Sequence, residues 1–170
     1  MFQKRLFMTC LLLVSLLSVN TSFAASVNNA DLWRFIEDIN DATGQLTVSN
    51  VDRFPLALRR ISHNEYVEFY RAEPVRLAED LVLTDFDVRL SKTRKTSALL
   101  SFGLRGRCLP LGVIKQRYRG VIITQTPRGH SLEETTSYTW TDKAHHQISF
   151  LFTERNPDCL HEVVIDRWSR

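Results

Sequence analysis

Alternation of apolar and polar side chains through the second half of the chain is the feature that most constrains its fold. In residues 82–90 and 98–105, apolar side chains recur at nearly every second position, which is typical of strands with one buried face. The polar stretch 91–97 separates them, so we expect two antiparallel neighbours joined by a basic loop. Further strands are predicted at 65–71, 121–126, 133–141, 147–153 and 160–168. We expect the buried face to include Phe86, Val88, Leu100, Phe102, Phe150, Phe152 and Val163.

A helix is predicted ahead of these strands. Its apolar residues recur at helical spacing: Leu32, Phe35, Ile36, Ile39 and Ala42. Asn28 or Asn29 provides an N-cap and Gly44 a stop. Residues 110–118 predict a second, short helix, because proline suits the first helical position. The pattern as a whole predicts an α+β fold, in which the N-terminal helix packs on a long antiparallel β-meander of about six to seven strands.

An export signal is predicted at the N-terminus. Lys4 and Arg5 precede an apolar run that ends before the small side chains typical of a cleavage site. Cleavage after Ala24 fits best, so residues 1–24 are predicted to be a signal peptide and residues 25–170 a single domain. No later segment has the roughly 18 consecutive apolar residues that a membrane-spanning helix needs. We therefore expect a periplasmic or secreted protein without a transmembrane segment after cleavage.

Two cysteines remain after the predicted cleavage, Cys108 and Cys159. An even number of cysteines in an exported domain indicates a disulfide. A bridge between these two would close a loop of about 50 residues and contribute roughly 4 kcal/mol in the chain-entropy model. The alternatives are a metal site or a redox pair, but the two thiols lack the CxxC spacing of such sites.

Charge is distributed unevenly along the chain. Ten bases and no acid lie in residues 89–132, whereas the rest of the predicted mature chain holds ten bases and 19 acids. The ten bases are Arg89, Lys92, Arg94, Lys95, Arg105, Arg107, Lys115, Arg117, Arg119 and Arg128. Two interpretations are open. Some of the bases face acids of residues 79–87 across the sheet, or they form a cationic surface that speeds association with an anionic partner.

Five of these bases are the best candidates for contact with a partner. Lys92, Arg94 and Lys95 lie in the predicted loop between two paired strands, where cross-strand acids cannot easily neutralise them. Arg117 and Arg119 come next. The partner is expected to be a protein with an acidic surface, with an anionic envelope component as the alternative. Nucleic acid is not expected to meet an exported protein.

Catalytic motifs are missing from the sequence. It contains no HExxH, GxSxG or glycine-rich phosphate loop. His145 and His146 are adjacent, and adjacent strand residues point to opposite faces, so we expect no metal site there. His161 alternates with apolar strand residues, which predicts a packed side chain. We therefore expect no enzyme, no catalytic residue and no cofactor.

The predicted layout combines an export signal, one small disulfide-linked domain and a charged surface. In kind, though not in any motif, it resembles the exported immunity and inhibitor proteins that Gram-negative bacteria keep in the periplasm. The resemblance implies a binding protein that blocks a secreted toxin or hydrolase by surface contact. Two alternatives stay open. One is a small-ligand or lipid carrier, or an enzyme, with a site between helix and sheet, and the other is an envelope-associated structural protein.

Overall fold

The computed structural model describes residues 29–93 and 98–167. Two α-helices lie in these ranges, α1 at Ala30–Gly44 and α2 at Leu111–Arg117, together with a 3₁₀ turn at Val51–Arg53. The strands there are β1 Arg59–His63, β2 Val67–Arg71, β3 Val75–Ala78, β4 Leu81–Ser91, β5 Ala98–Gly106, β6 Ile122–Gln125, β7 Thr135–Thr141, β8 Gln147–Thr153 and β9 Glu162–Asp166. The predicted signal peptide, residues 1–24, lies outside the described residues.

The strands form one antiparallel sheet, and its order differs from that of a single meander. The order is β1-β2-β4-β5-β9-β8-β7-β6, and β3 pairs with the start of β4. Two meanders therefore meet where β5 pairs with β9. After β5 the chain passes through α2 to the far edge of the sheet and returns strand by strand. The predicted α+β fold is confirmed, the predicted single meander holds only within each half, and β1 and β6 end the sheet.

One face of the sheet is buried beneath α1. The helix packs on β5 and buries Leu32, Ile36 and Ile39. The ring centroid of Phe35 lies 5.6 Å from that of Phe102, in an edge-to-face arrangement that aromatic pairs favour. All seven predicted core residues are at most 2 % exposed, so the strand registers derived from the alternation are confirmed.

Three details of the predicted elements need correction. Helix α1 begins after Asn29, but the Asn29 side chain makes no capping bond. It accepts a hydrogen bond from Nη1 of Arg107 at 3.1 Å instead. Asn28 lies outside the described residues. The alternation also missed β1, which is exposed along its whole length, and β3, which has only four residues. An edge strand that buries neither face carries no alternating signal.

The predicted disulfide between Cys108 and Cys159 is present, with Cα atoms 4.9 Å apart. It joins the loop that follows β5 to the turn that precedes β9, so it fastens two strands that also pair directly. The disulfide therefore links the two meanders covalently beside the β5–β9 pair. Within the described ranges, no helix has the length and apolar character needed to cross a membrane.

Candidate protein-binding surface

The bases on β4 and β5 are paired with acids inside the sheet. Nε of Arg89 lies 2.8 Å from Oδ1 of Asp87, and Nη2 of Arg105 lies 3.2 Å from Oδ2 of Asp85. Asp85 sits at a bulge with φ of 57°, a left-handed conformation that aspartate tolerates. A hydrogen bond from the Thr84 hydroxyl, followed by the one from Arg105, holds the pKa of Asp85 below its usual value. The interpretation that the bases face acids across the sheet is therefore correct for Arg105, whereas Arg89 pairs with an acid of its own strand.

Arg107 is also committed to a structural contact. Its Nε donates to Oδ2 of Asp80 at 2.9 Å, and a second nitrogen bonds the other oxygen of the same carboxylate. Hydrogen bonds of this two-pronged kind are the strong ones. The hydrogen bond from Arg107 lowers the pKa of Asp80, and the same contact raises the pKa of Arg107. A guanidinium held by Asp80 and by Asn29 is not free to meet a partner.

The predicted contact loop is described only at its first base. Nζ of Lys92 donates to the carbonyl oxygen of Asn64 at 2.8 Å, and its backbone N–H donates to the carbonyl oxygen of Tyr66, also at 2.8 Å. These bonds tie Lys92 to the turn between β1 and β2. Arg94 and Lys95 lie outside the described residues, so their role stays a prediction.

Arg117 and Arg119 differ in their surroundings. Arg117, at the end of α2, forms an ion pair with Glu37 of α1, and its guanidinium lies 5.9 Å from the ring centroid of Tyr118. Arg119 is exposed in the turn before β6, and within the described ranges its side chain has no ion pair or hydrogen bond. Of the predicted contact residues that the structure describes, Arg119 is therefore the one most available to a partner.

Two further exposed bases, Lys115 and Arg128, precede and follow β6 in the chain, and neither is among the five predicted contact residues. Lys115 is exposed on α2, with its Nζ 5.7 Å from the ring centroid of Tyr138 on β7. Arg128 is exposed in the loop that follows β6. The nearby Glu134 carboxylate accepts three backbone N–H groups of residues 128–130, which holds this loop in place. Neither base forms an ion pair with an acid in the described part of the chain.

The strand between these bases is exposed and uncharged. Ile122 and Ile123 of β6 are 63 % and 55 % exposed. Of the five large apolar side chains exposed among the described residues, these two and Leu132 belong to β6 and the loop after it. A groove of about 610 Å³ runs past the C-terminal half of the strand, lined by residues 124–128 and Glu134. We call Lys115, Arg119, β6 and Arg128 the β6 surface.

The signal that could have located the β6 surface is present in the sequence. Two adjacent isoleucines lie between Arg119 and Arg128, without an acid anywhere in that stretch. The order of the strands hides the significance of the pattern, because only the fold shows that residues 122–125 are an outer strand. A loop between paired strands is the more obvious place for free charge, which is why the sequence pattern favours Lys92.

Other polar groups form structural contacts. Nδ1 of His146 lies 2.9 Å from Oδ2 of Asp142, and Arg167 contacts the same ring. His161 is exposed, so the prediction that it is packed is wrong. It precedes β9, which begins at Glu162, so the alternation of buried and exposed strand residues does not extend to it. Within residues 29–93 and 98–167, no three metal-binding side chains lie close enough to hold an ion. No protein-family model, curated protein or solved structure matches this chain.

Proposed function

We propose that the protein is an exported, periplasmic binding protein, an inhibitor or immunity factor that blocks a secreted toxin or hydrolase by surface contact. The observation that carries the proposal is the division of its bases. Those on β4 and β5 are neutralised by acids within the sheet, whereas Lys115, Arg119 and Arg128 surround an exposed strand without acidic partners in the described chain. An exposed cationic surface raises the rate of encounter with an acidic protein.

A small inhibitor of this kind needs a rigid surface with a few anchors rather than reactive groups. The sheet that β6 extends has a buried core, and the disulfide links the β5–β9 junction three strands away, so the surface stands on a rigid frame. Exposed isoleucines supply apolar area that a partner can cover, and the bases around them favour an acidic partner. We place the contact at residues 115–128, with Lys92, Arg94 and Lys95 as a second region to test.

Capture experiments test the binding function directly. The wild-type protein should retain a protein partner from the producing organism or its competitors. A variant with Lys115→Glu, Arg119→Glu and Arg128→Glu should associate with that partner about tenfold more slowly, because charge reversal removes electrostatic steering. The matched control is Arg34→Glu, Arg53→Glu and Arg59→Glu, which makes the same change in net charge at exposed bases elsewhere.

Equal slowing by both triple variants would indicate a general charge effect and would overturn the assignment of this surface. Turnover of a small substrate that depends on His63, His145 or His161, without any protein partner, would favour an enzyme instead. A third triple variant, with Lys92→Glu, Arg94→Glu and Lys95→Glu, shows whether charge reversal in the loop slows association as much as charge reversal at the β6 surface.

Export is tested by the intact mass of the protein recovered from a periplasmic fraction. We expect a chain that begins at Ala25 and lacks two hydrogens because Cys108 and Cys159 are oxidised. A mass that retains residues 1–24 would contradict the proposed location.

A further inference from the structure

We propose that β6 is a strand-addition edge, to which the partner contributes an extended acidic segment that pairs with Ile122–Gln125. This inference rests on the proposed function and specifies the mode of binding. Peptides added to a sheet edge gain affinity from backbone hydrogen bonds, and side-chain contacts supply the specificity.

The position of β6 makes such pairing available. On one side the strand pairs with β7, through Ile122 opposite Thr139 and Ile123 opposite Tyr138. On its other side, no strand in the described part of the chain pairs with it. An outer strand presents a row of backbone N–H and C=O groups to any extended chain that approaches.

The side chains of β6 do not oppose pairing. Proteins commonly protect a sheet edge with charged side chains, especially lysine, placed in the strand itself. The four residues of β6 carry no charge. Ile122 and Ile123 point to opposite faces of the sheet, so an added strand would cover apolar surface on both faces through cross-strand contacts.

The charges around β6 determine which strand fits. Arg119 and Arg128 lie nine positions apart and flank the strand, which corresponds to at most about 30 Å of extended chain. A second copy of this protein is a poor occupant. Antiparallel pairing would bring Arg119 of one copy towards Arg128 of the other, and parallel pairing would bring identical arginines together. Like charges placed opposite each other destabilise a strand pair. A segment with acids at both ends has the complementary pattern.

A synthetic probe tests the pairing without the natural partner. The probe is the nonapeptide Glu-Asp-Thr-Val-Thr-Val-Thr-Asp-Glu, carrying a fluorophore, and its binding to the purified protein is measured by anisotropy. We expect saturable binding that weakens at least tenfold when the four acids are replaced by lysine. Binding should weaken similarly in the Lys115→Glu, Arg119→Glu and Arg128→Glu variant and should persist in the Arg34→Glu, Arg53→Glu and Arg59→Glu control.

Backbone methylation separates strand pairing from simple charge attraction. Two probes are N-methylated at alternate residues, one at odd and one at even positions, and their charges are identical. Only one edge of the added strand faces β6, and alternate residues direct their N–H groups to that edge. One methylation pattern should therefore weaken the affinity of the probe at least tenfold more than the other. Equal affinities for the two patterns, or no binding of the parent probe, would overturn strand addition.

The outcomes also distinguish this inference from the function on which it rests. If the methylated probes bind equally but the charge-reversed protein loses its captured partner, strand addition fails and the binding function stands. If both tests fail, the β6 surface is not a binding site. A dimer of the free protein in sedimentation that is broken by Ile123→Glu would assign the edge to a second copy and overturn the proposal.

Discussion

The strands at the two ends of the sheet order, β1 and β6, differ in how they meet the solvent. Strand β1 carries Arg59, Arg60 and His63 within five residues, whereas β6 has four uncharged residues and holds its bases in the flanking segments. Both strands contain a bulge, and each edge exposes apolar side chains. The distribution of charge along the strand is therefore the main difference, and charge within a strand is a common protection against unwanted pairing.

A buried carboxylate also anchors β1. Glu68 of β2 lies on the core face at 6 % exposure and accepts hydrogen bonds from the Tyr70 hydroxyl and from Nη1 of Arg60 on β1, the latter at 3.4 Å. The hydrogen bond from Tyr70 is the main cause that lowers the pKa of Glu68, despite its burial. Burial of the Tyr70 side chain raises its own pKa to about 12, so its hydroxyl stays a donor at neutral pH. Among the described residues, no buried carboxylate holds β6 in a comparable way.

The largest loss of stability is expected in the buried core that lies between the two end strands. Phe102→Ala or Phe150→Ala should lower the free energy of unfolding by about 3–5 kcal/mol, because each removes a fully buried ring. Ile122→Ala, on the exposed edge, should cost less than about 1 kcal/mol. Urea unfolding of the oxidised protein measures all three. Losses below 1 kcal/mol at both phenylalanines would contradict the registers on which the two edges are defined.

A smaller loss is expected at the anchored edge. Glu68→Gln should cost about 1–3 kcal/mol, because it replaces a charged acceptor of two hydrogen bonds with a neutral one. The control is Glu65→Gln, at an exposed carboxylate in the adjacent turn, and it should have almost no effect. If both variants unfold alike, β1 is not anchored by Glu68.

The same group predicts a pH dependence. The folded-state pKa of Glu68 is lowered, so its contribution is fully present above the unfolded pKa and is lost as the pH falls through the folded value. Below the usual carboxyl pKa of 4.5, the stability of wild type and Glu68→Gln should therefore converge. Unfolding free energies measured between pH 7 and about pH 3 check this, and a constant difference across the range would contradict it.

The smallest effect on stability is expected at the β6 surface. Reversing Lys115, Arg119 and Arg128 to glutamate should change the free energy of unfolding by no more than about 0.5 kcal/mol, since none of the three pairs with an acid in the described chain. The same variant should lose most of the salt dependence of partner association. A large loss of stability would mean that these bases support the fold rather than a partner.

The sequence was sufficient to predict what depends on local pattern. Alternation located the buried face of β4, β5 and β8, and the cysteine count located the disulfide. The order of strands could not be predicted, because α2 carries the chain to the far edge and no local pattern marks that choice. For the same reason the sequence pattern favours Lys92 over Lys115 and Arg128. Only the strand order shows that Lys115 and Arg128 flank a strand at the end of the sheet.

Amide hydrogen exchange at the two end strands, β1 and β6, tests the central claim most directly. Exchange rates for residues 59–63 and 122–125 are measured in the free protein and in its complex with the captured partner. We predict that exchange in Ile122–Gln125 slows at least tenfold in the complex while β1 is unchanged, because new backbone hydrogen bonds form only at the β6 edge. Protection at β1, or at the turn around Lys92, with β6 unchanged would contradict the account.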